Sequence, residues 1–248
     1  MIVRDADSRW QVVLQTDHAD LSADIARRWT PLEKAKDSVV IATQRHDDGW
    51  AVWEQAPAFD PDTCRPVNFL DVDILSHLAF YRACIAAVTE QDPYAGLLVS
   101  MHGAGIYRQR YGSDPNLKLT REPEALAAID AFVDEQEAGY VSRIEALEVD
   151  EEERWENYNH LQMFDRLSLY FCMRDVEAGE AATIGDYELQ PVEPWAITLE
   201  PFPFDADPVS FKLLRRMVSK KTSNGSAAAV DFLAIEPEQL EVTILSKR

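Results

Sequence analysis

Residues 38–50 read SVVIATQRHDDGW and combine an apolar helical pattern with a His-Asp pair and a glycine. Asp37 is suited to begin a helix as its N-cap, and Gly49 is suited to end it just after His46. On such a helix His46 shares a face with the apolar residue Val39. The stretch therefore predicts a helix whose C-terminal end presents an imidazole and the carboxylate of Asp47 to the protein interior.

Apolar residues at helical spacing continue on both sides of this stretch. Helices are predicted over residues 17–29, 37–46, 72–90, 95–102, 121–147 and 154–175, and a loop that begins with Gly103 and Gly105 is predicted over residues 103–119. The segment Trp10–Gln15 is short and apolar and predicts a strand. After Gly185 prolines become frequent and apolar runs become short, which predicts β-structure. The sequence thus predicts a mainly α fold, a helical bundle with a small C-terminal β-containing appendage that the N-terminal strand could join.

Length and composition limit the number of domains. The chain has 248 residues, of which 46% are hydrophobic, enough for a sizeable core. The change from long helical patterns to short apolar runs with frequent prolines predicts a helical metal-binding domain over residues 1–180. A small α+β appendage packed on it is predicted over residues 181–248.

The charge of the chain limits its partners. Lys and Arg total 24 and Asp and Glu total 44, so the net charge is −20. Such a body repels nucleic acid and anionic membranes, and neither is expected as a partner. A small anionic substrate is compatible with this charge if a bound cation dominates the local field. The sequence leaves open whether the protein forms a homo-oligomer.

Cysteine usage and hydropathy indicate the compartment. The three cysteines form no Cys-x-x-Cys pair, and their number is odd, as expected for thiols kept reduced. Residues 1–10 contain no apolar signal core, and no apolar run approaches the roughly 20 residues that a membrane span needs. We therefore expect a cytoplasmic protein.

Histidines and one aspartate are the candidates for chemistry. Of the five histidines, four lie at core-facing positions or at the end of an apolar run: His18, His46, His77 and His102. Asp165 lies on an apolar helical stripe, where a carboxylate is costly unless it is paired or metal-bound. Its neighbour Arg166 points about 100° away on a helix and is a poor partner. Inward imidazoles and carboxylates from separate helices predict one or two divalent transition metals, Mn, Fe, Zn or Co.

The order of these residues resembles a known family. His18, then His46-Asp47, then Asp165 resembles the H…HD…D signature of the HD superfamily of metal-dependent phosphohydrolases. Residues 46–49 (HDDG) resemble the HDxG turn of its phosphodiesterase branch, and residues 161–168 (LQMFDRLS) resemble the closing helix of many HD proteins. The resemblance spans about residues 15–175. The chain also resembles an uncharacterised family of about 250 residues, known only as a domain of unknown function.

The resemblance implies an HD-like helical bundle around one or two metals. His18, His46, Asp47 and Asp165 would hold the first metal. Asp47 would bridge to a second metal completed by His77 and His102. In HD hydrolases a metal-activated water attacks phosphorus, which makes Asp47 a catalytic candidate.

Other residues near these ligands are candidates for catalysis or substrate binding. His160 lies just over one helical turn before Asp165 and is a second catalytic candidate. Trp50 follows the HDDG segment and could form a pocket wall. Arg108, Arg110 and Lys118 cluster after His102 and could bind an anionic substrate group.

Three functions remain open from the sequence. The first is a metal-dependent hydrolase of a small phosphorylated molecule. The second is an HD-fold oxygenase with two irons, which uses much the same ligand set. The third is a non-catalytic protein that binds a metal or a ligand.

Overall fold

The computed structural model describes residues 1–60, 62–63, 65–112, 122–173, 180–220 and 232–247. The helices are α1 (Gln15–Arg28), α2 (Lys36–Arg45), α3 (Ala51–Glu54), α4 (Ile74–Gln91), α5 (Pro93–Tyr107), α6 (Pro123–Ala138), α7 (Tyr140–Leu147) and α8 (Glu151–Met173). The strands are β1 (Ile2–Ala6), β2 (Arg9–Val13), β3 (Ala182–Ile184), β4 (Tyr187–Glu193), β5 (Ala196–Glu200), β6 (Val209–Ser219) and β7 (Glu238–Ser246).

The described strands form one mixed sheet in the order β1-β2-β6-β7-β5-β4-β3. Strands β5 and β7 run parallel, and the other neighbours run antiparallel. The pairing of β2 with β6, in which Arg9 lies opposite Ser219, attaches the N-terminal hairpin to the C-terminal strands. Both ends of the chain therefore build the same sheet.

One face of this sheet packs on the helices. In β6 the side chains of Val209, Phe211 and Leu213 are buried while those between them are exposed, the alternation of a one-sided strand. Trp29, which directly follows α1, joins the two layers. Its ring lies 5.3 Å from that of Phe164 in α8 and 5.0 Å from that of Tyr187 in β4. The sheet thereby covers α1 and α8, which carry the candidate ligands His18 and Asp165.

The predicted fold class is wrong. The molecule is not a mainly α, HD-like helical bundle with a small β-containing appendage, because a seven-stranded mixed sheet forms a substantial layer of it. The strands were underestimated because several are short and several are interrupted by polar residues or proline. Their pairing depends on contacts between distant parts of the chain. The division into residues 1–180 and 181–248 stays a prediction.

Two helical segments differ from their predicted bounds. The helix expected over residues 95–102 runs from Pro93 to Tyr107, so it includes the glycines that suggested a loop. The helix expected over residues 121–147 is divided at Gly139 into α6 and α7. Within the described ranges, no helix combines the length and the apolar character needed to cross a membrane.

Candidate metal centre

Four buried side chains meet between α1, the end of α2 and α8. They form what we call the His–Asp cluster: His18, His46, Asp47 and Asp165. Single ligand atoms of His18, His46 and Asp165 lie within 4.8 Å of one another. A second, overlapping set of potential ligand atoms comes from His46, Asp47 and His102. The structure therefore brings together all four residues expected to hold a first metal.

The end of α2 positions the central pair. His46 still has helical backbone angles, whereas Asp47, at φ −117° and ψ 15°, turns the chain away from the helix axis. The following turn lies directly on α4. A Cβ atom at Gly49 would be 2.1 Å from the carbonyl oxygen of Phe80, so this position requires glycine.

The ring of His18 is held through its Nδ1 atom. Nδ1 lies 2.7 Å from Oγ of Ser168, and that hydroxyl donates its own proton to the carbonyl oxygen of Asp165. With this proton given to Asp165, His18 donates the Nδ1–H, which is the tautomer that metal binding through Nε2 requires. The lone pair of a neutral His18 is then on Nε2, which lies 3.0 Å from Oδ2 of Asp47. Two acceptors at this distance need a proton or a cation between them.

The ring of His46 is also held through its Nδ1 atom. Its Nδ1 lies 2.7 Å from the carbonyl oxygen of Thr43, which can only accept a hydrogen bond. Its Nε2 is fully buried, has no hydrogen-bond partner among the described residues and lies 3.6 Å from both Asp47 Oδ2 and Asp165 Oδ1. Metal-binding histidines commonly donate their second ring N–H to such a carbonyl or hydroxyl.

The two oxygens of Asp165 have different neighbours. Oδ1 faces the histidines, at 4.0 Å from His18 Nε2 and 3.6 Å from His46 Nε2. Oδ2 accepts a 2.8 Å hydrogen bond from Arg110. The partner that this buried carboxylate requires is thus Arg110, which the sequence suggested as a substrate-binding residue.

Burial and charge act against each other in the cluster. Burial lowers the pKa of His46, but the charges of Asp47 and Asp165 outweigh it and raise this pKa to about 9. Burial raises the pKa of Asp165, but Arg110 and His46 hold it well below its usual range. Burial likewise raises the pKa of Asp47, and the neighbouring His46 and His18 lower it overall. Both carboxylates are therefore ionised, and the cluster attracts positive charge.

The spacing of the ligand atoms approaches that around a metal ion. The four Nε2–Oδ distances lie between 3.0 and 4.0 Å. Ligand atoms about 2.0–2.2 Å from a tetrahedral Zn²⁺ are separated by roughly 3.3–3.6 Å. Asp47 and Asp165 belong to different sets of ligand atoms, each set lying within 4.8 Å. The unpartnered atoms His46 Nε2 and Asp47 Oδ1 add buried polar groups whose hydrogen-bonding capacity is unused in the described residues.

The two histidines expected to hold a second metal lie in different places. His102, in α5, is adjacent to the cluster, and its ring centre is 4.8 Å from that of His46. Burial and the charge of His46 lower the pKa of His102 to about 3, so its ring is neutral. His77 lies outside both groups of ligand atoms. Its Nε2 is 2.7 Å from the carbonyl oxygen of Phe69, and its ring packs on Trp50.

The candidate substrate-binding residues are dispersed. Trp50 is buried against His77 and Phe80. Arg108 is half-exposed and makes a bidentate ion pair with Glu137, with N–O distances of 3.1 and 3.0 Å. Lys118 lies outside the described residues. Arg110 is therefore the cationic candidate that the structure places next to the cluster.

His160 lies in a cleft on the side of α8 that faces the sheet. The cleft has a volume of about 670 Å³ and is formed by α8 and the β3–β4 turn. The imidazole stacks on Phe164, and its Nδ1 has no hydrogen-bond partner in the described part of the chain. Gln162 also lines this cleft and bonds Arg110 and His102, which lie next to the metal centre.

Three residues that bond the cluster or its neighbours Arg110 and His102 were missed in the sequence: Thr43, Gln162 and Ser168. Ser168 and Gln162 lie three positions from Asp165, a spacing that places side chains on neighbouring parts of one helix face. That spacing was the available signal. Thr43 acts through its backbone carbonyl, which no side-chain pattern reveals.

Comparison with known proteins gives one match. Residues 1–220 match the model of the family described as "Protein of unknown function (DUF3891)". No curated protein and no solved structure matches the chain. The resemblance to an uncharacterised family is confirmed, whereas membership of the HD superfamily stays a prediction. Since the match covers most of the sequence, the chain belongs to the DUF3891 family.

Proposed function

We propose that this protein is a metal-dependent hydrolase of a small phosphorylated substrate and that the His–Asp cluster holds its divalent transition metal. The supporting observation is the common orientation of His18 and His46. Both donate Nδ1–H to the surrounding protein and direct Nε2 at the carboxylates. Mixed imidazole and carboxylate ligands suit Mn, Fe, Co or Zn. The HD-like order of the ligands along the chain agrees with this assignment.

The local charge explains how so acidic a protein would accept a phosphorylated molecule. With His18 and His46 neutral, as metal binding requires, the two carboxylates and the guanidinium of Arg110 together leave one net negative charge. A divalent cation would make the centre net positive. When bound, such a cation lowers the pKa of a water molecule and neutralises charge on a transferring group. The free Oδ1 of Asp47 is available to accept a hydrogen bond from the attacking water.

The arrangement favours one metal over two. His77 is separated from the cluster, with its Nε2 at a backbone carbonyl. A two-iron oxygenase needs a second complete set of ligands, so the hydrolase is the better candidate. The cleft lined by His160 and Gln162 is the proposed route for the organic part of the substrate, because Gln162 reaches from the cleft to His102.

Turnover of a phosphoester probe tests this proposal. Protein stripped with a chelator is reloaded separately with Mn, Fe, Co or Zn and assayed with 4-nitrophenyl phosphate and bis(4-nitrophenyl) phosphate. We expect hydrolysis with at least one metal and a decrease of about 100-fold or more in Asp47→Asn, because that variant loses an anionic ligand and the acceptor for water.

Asp134→Asn is the matched control, because Asp134 is 79% exposed and remote from the cluster. It should retain the activity. A protein that binds metal but hydrolyses neither probe, nor a broader panel of phosphoesters, would contradict the hydrolase. That result would favour the non-catalytic alternative.

A further inference from the structure

The amide of Gln162 lies between a cation and a histidine. Arg110 donates a hydrogen bond from its NH1 group to Oε1 of Gln162. The amide nitrogen of Gln162 lies 2.9 Å from Nδ1 of His102. All three side chains are almost fully buried. The contact is therefore shielded from competing water.

The chemistry of the three groups fixes the direction of both hydrogen bonds. A guanidinium has donors and no acceptor, so the Gln162 atom facing Arg110 must be the oxygen. The NH₂ group then faces His102 and donates, which makes Nδ1 of His102 an acceptor. A neutral imidazole that accepts at Nδ1 carries its proton at Nε2. His102 thus has the tautomer opposite to that of His18 and His46.

This tautomer leaves His102 without a lone pair for a metal. The Nδ1 lone pair is occupied by Gln162, and Nε2 carries hydrogen. The Nε2–H makes no hydrogen bond within the described part of the chain, although a nitrogen of His102 lies within 4.8 Å of ligand atoms of His46 and Asp47. A neutral N–H at this place is suited to an oxygen of an anionic ligand.

We propose that Gln162 is a positioning residue that fixes the Nε2–H tautomer of His102, so that His102 donates a hydrogen bond to a phosphoryl oxygen of the substrate instead of binding metal. The donor role rests on the proposed function, whereas the tautomer does not. Arg110 completes the arrangement, because it binds Gln162 through one contact and Asp165 through another.

The backbone around Arg110 has an uncommon conformation. Gln109, Arg110 and Tyr111 have φ values of 53°, 51° and 50°, in the left-handed region that residues with a Cβ rarely adopt. Three consecutive residues in that region are unfavourable on their own. The buried contacts of the Arg110 guanidinium with Gln162 and Asp165 offset this cost.

Nitrogen-15 NMR of the histidine side chains tests the tautomer directly. The metal-free protein and the zinc-loaded protein are labelled at the ring nitrogens, and His102→Asn identifies the signals of His102. We expect a protonated Nε2 and an unprotonated Nδ1 in both samples. A His102 protonated at Nδ1, or one whose Nε2–H disappears on zinc loading, would overturn the proposal.

Gln162→Glu should reverse the tautomer of His102 and provides a second test. A carboxylate at position 162 only accepts, so His102 should donate from Nδ1 and the two ring signals should exchange their protonation state. With bis(4-nitrophenyl) phosphate we expect kcat to fall on the order of 100-fold, as for the loss of one oxyanion donor. Gln136→Glu is the matched control, because Gln136 is buried, bonds Ser100 and should leave both readouts unchanged.

Metal content separates this inference from the proposed function. His102→Asn should retain the metal equivalents of the wild type, since His102 is not a ligand. Loss of the metal in this variant would overturn the inference. If the wild type shows the expected tautomer but binds no metal, the proposed function and the donor role both fail, and the positioning by Gln162 stands.

Discussion

At the scale of single residues, the hydroxyl of Ser168 determines how His18 is presented. It accepts the Nδ1–H of His18 at 2.7 Å and donates to the backbone of Asp165. One side chain thus connects two of the four proposed ligands. Its effect on the metal should be indirect, through the orientation and basicity of the imidazole.

Ser168→Ala should weaken metal binding by about 10- to 100-fold, because His18 loses the partner that fixes its Nδ1–H. The dissociation constant is measured by competition with a chromophoric chelator. Ser100→Ala is the control, since Ser100 is equally buried but bonds Gln136 instead of a histidine. Equal metal affinity in wild type and Ser168→Ala would contradict the orientation that we assign to His18.

The candidate site was partly predictable at this scale. His18, His46, Asp47 and Asp165 could be predicted because each lies at a core-facing position, where a polar group needs a partner. The roles of His102 and Arg110 could not, because they depend on which atom of Gln162 faces each of them. Hydrogen-bond direction is a property of the assembled site and leaves no pattern in the sequence.

At the scale of elements, the turn after α2 depends on its contact with α4. Gly49 lies against the backbone of Phe80, and Phe80 in turn contacts the ring of Trp50 at 4.9 Å. The turn cannot accept a side chain without moving away from α4. Such a movement would displace Asp47, which directly precedes it in the cluster.

Gly49→Ala should lower the free energy of unfolding by about 1–3 kcal/mol, because the added methyl group collides with backbone that cannot rotate away. Urea denaturation measures this change. In Gly139→Ala the new Cβ meets only the flexible side chain of Arg143, at 3.4 Å or more. That control should change the stability by less than about 0.5 kcal/mol. A similar stability for both variants would show that the turn adapts.

Close packing between neighbouring elements also explains why α5 is longer than predicted. Gly103 and Gly105 suggested a loop, yet both lie inside the helix. A Cβ atom at Gly105 would be 2.1 Å from the hydroxyl oxygen of Tyr158 in α8. These glycines permit close helix packing, and a sequence alone does not distinguish that use from a turn.

At the scale of the whole molecule, the sheet joins the two ends of the chain. Ile2 in β1 and Ile244 in β7 belong to the same hydrophobic core, which also includes Phe164 in α8. The individual strands were partly recognisable from their apolar residues. Their order was not, because β2 and β6 are about 200 residues apart and only the folded helices bring them together.

This continuous core predicts that the chain unfolds in one transition. Far-UV circular dichroism reports the helices, and fluorescence reports tryptophans that include Trp29, at the boundary of helices and sheet. The two signals should give coincident denaturation curves. Two separate transitions would instead support the predicted division into residues 1–180 and 181–248.

We propose above that the His–Asp cluster binds a metal ion, and both the hydrolase and the role of His102 depend on this ion. The most direct measurement is the metal content of the purified wild type, His46→Gln and Asp165→Asn by elemental mass spectrometry, with His160→Gln as a histidine control outside the cluster. We predict close to one equivalent of a transition metal in the wild type and in the control, and its loss in the two folded cluster variants. A wild type that remains free of metal after incubation with Mn, Fe, Co and Zn would contradict the account. The buried histidines would then be held by protons shared with the carboxylates.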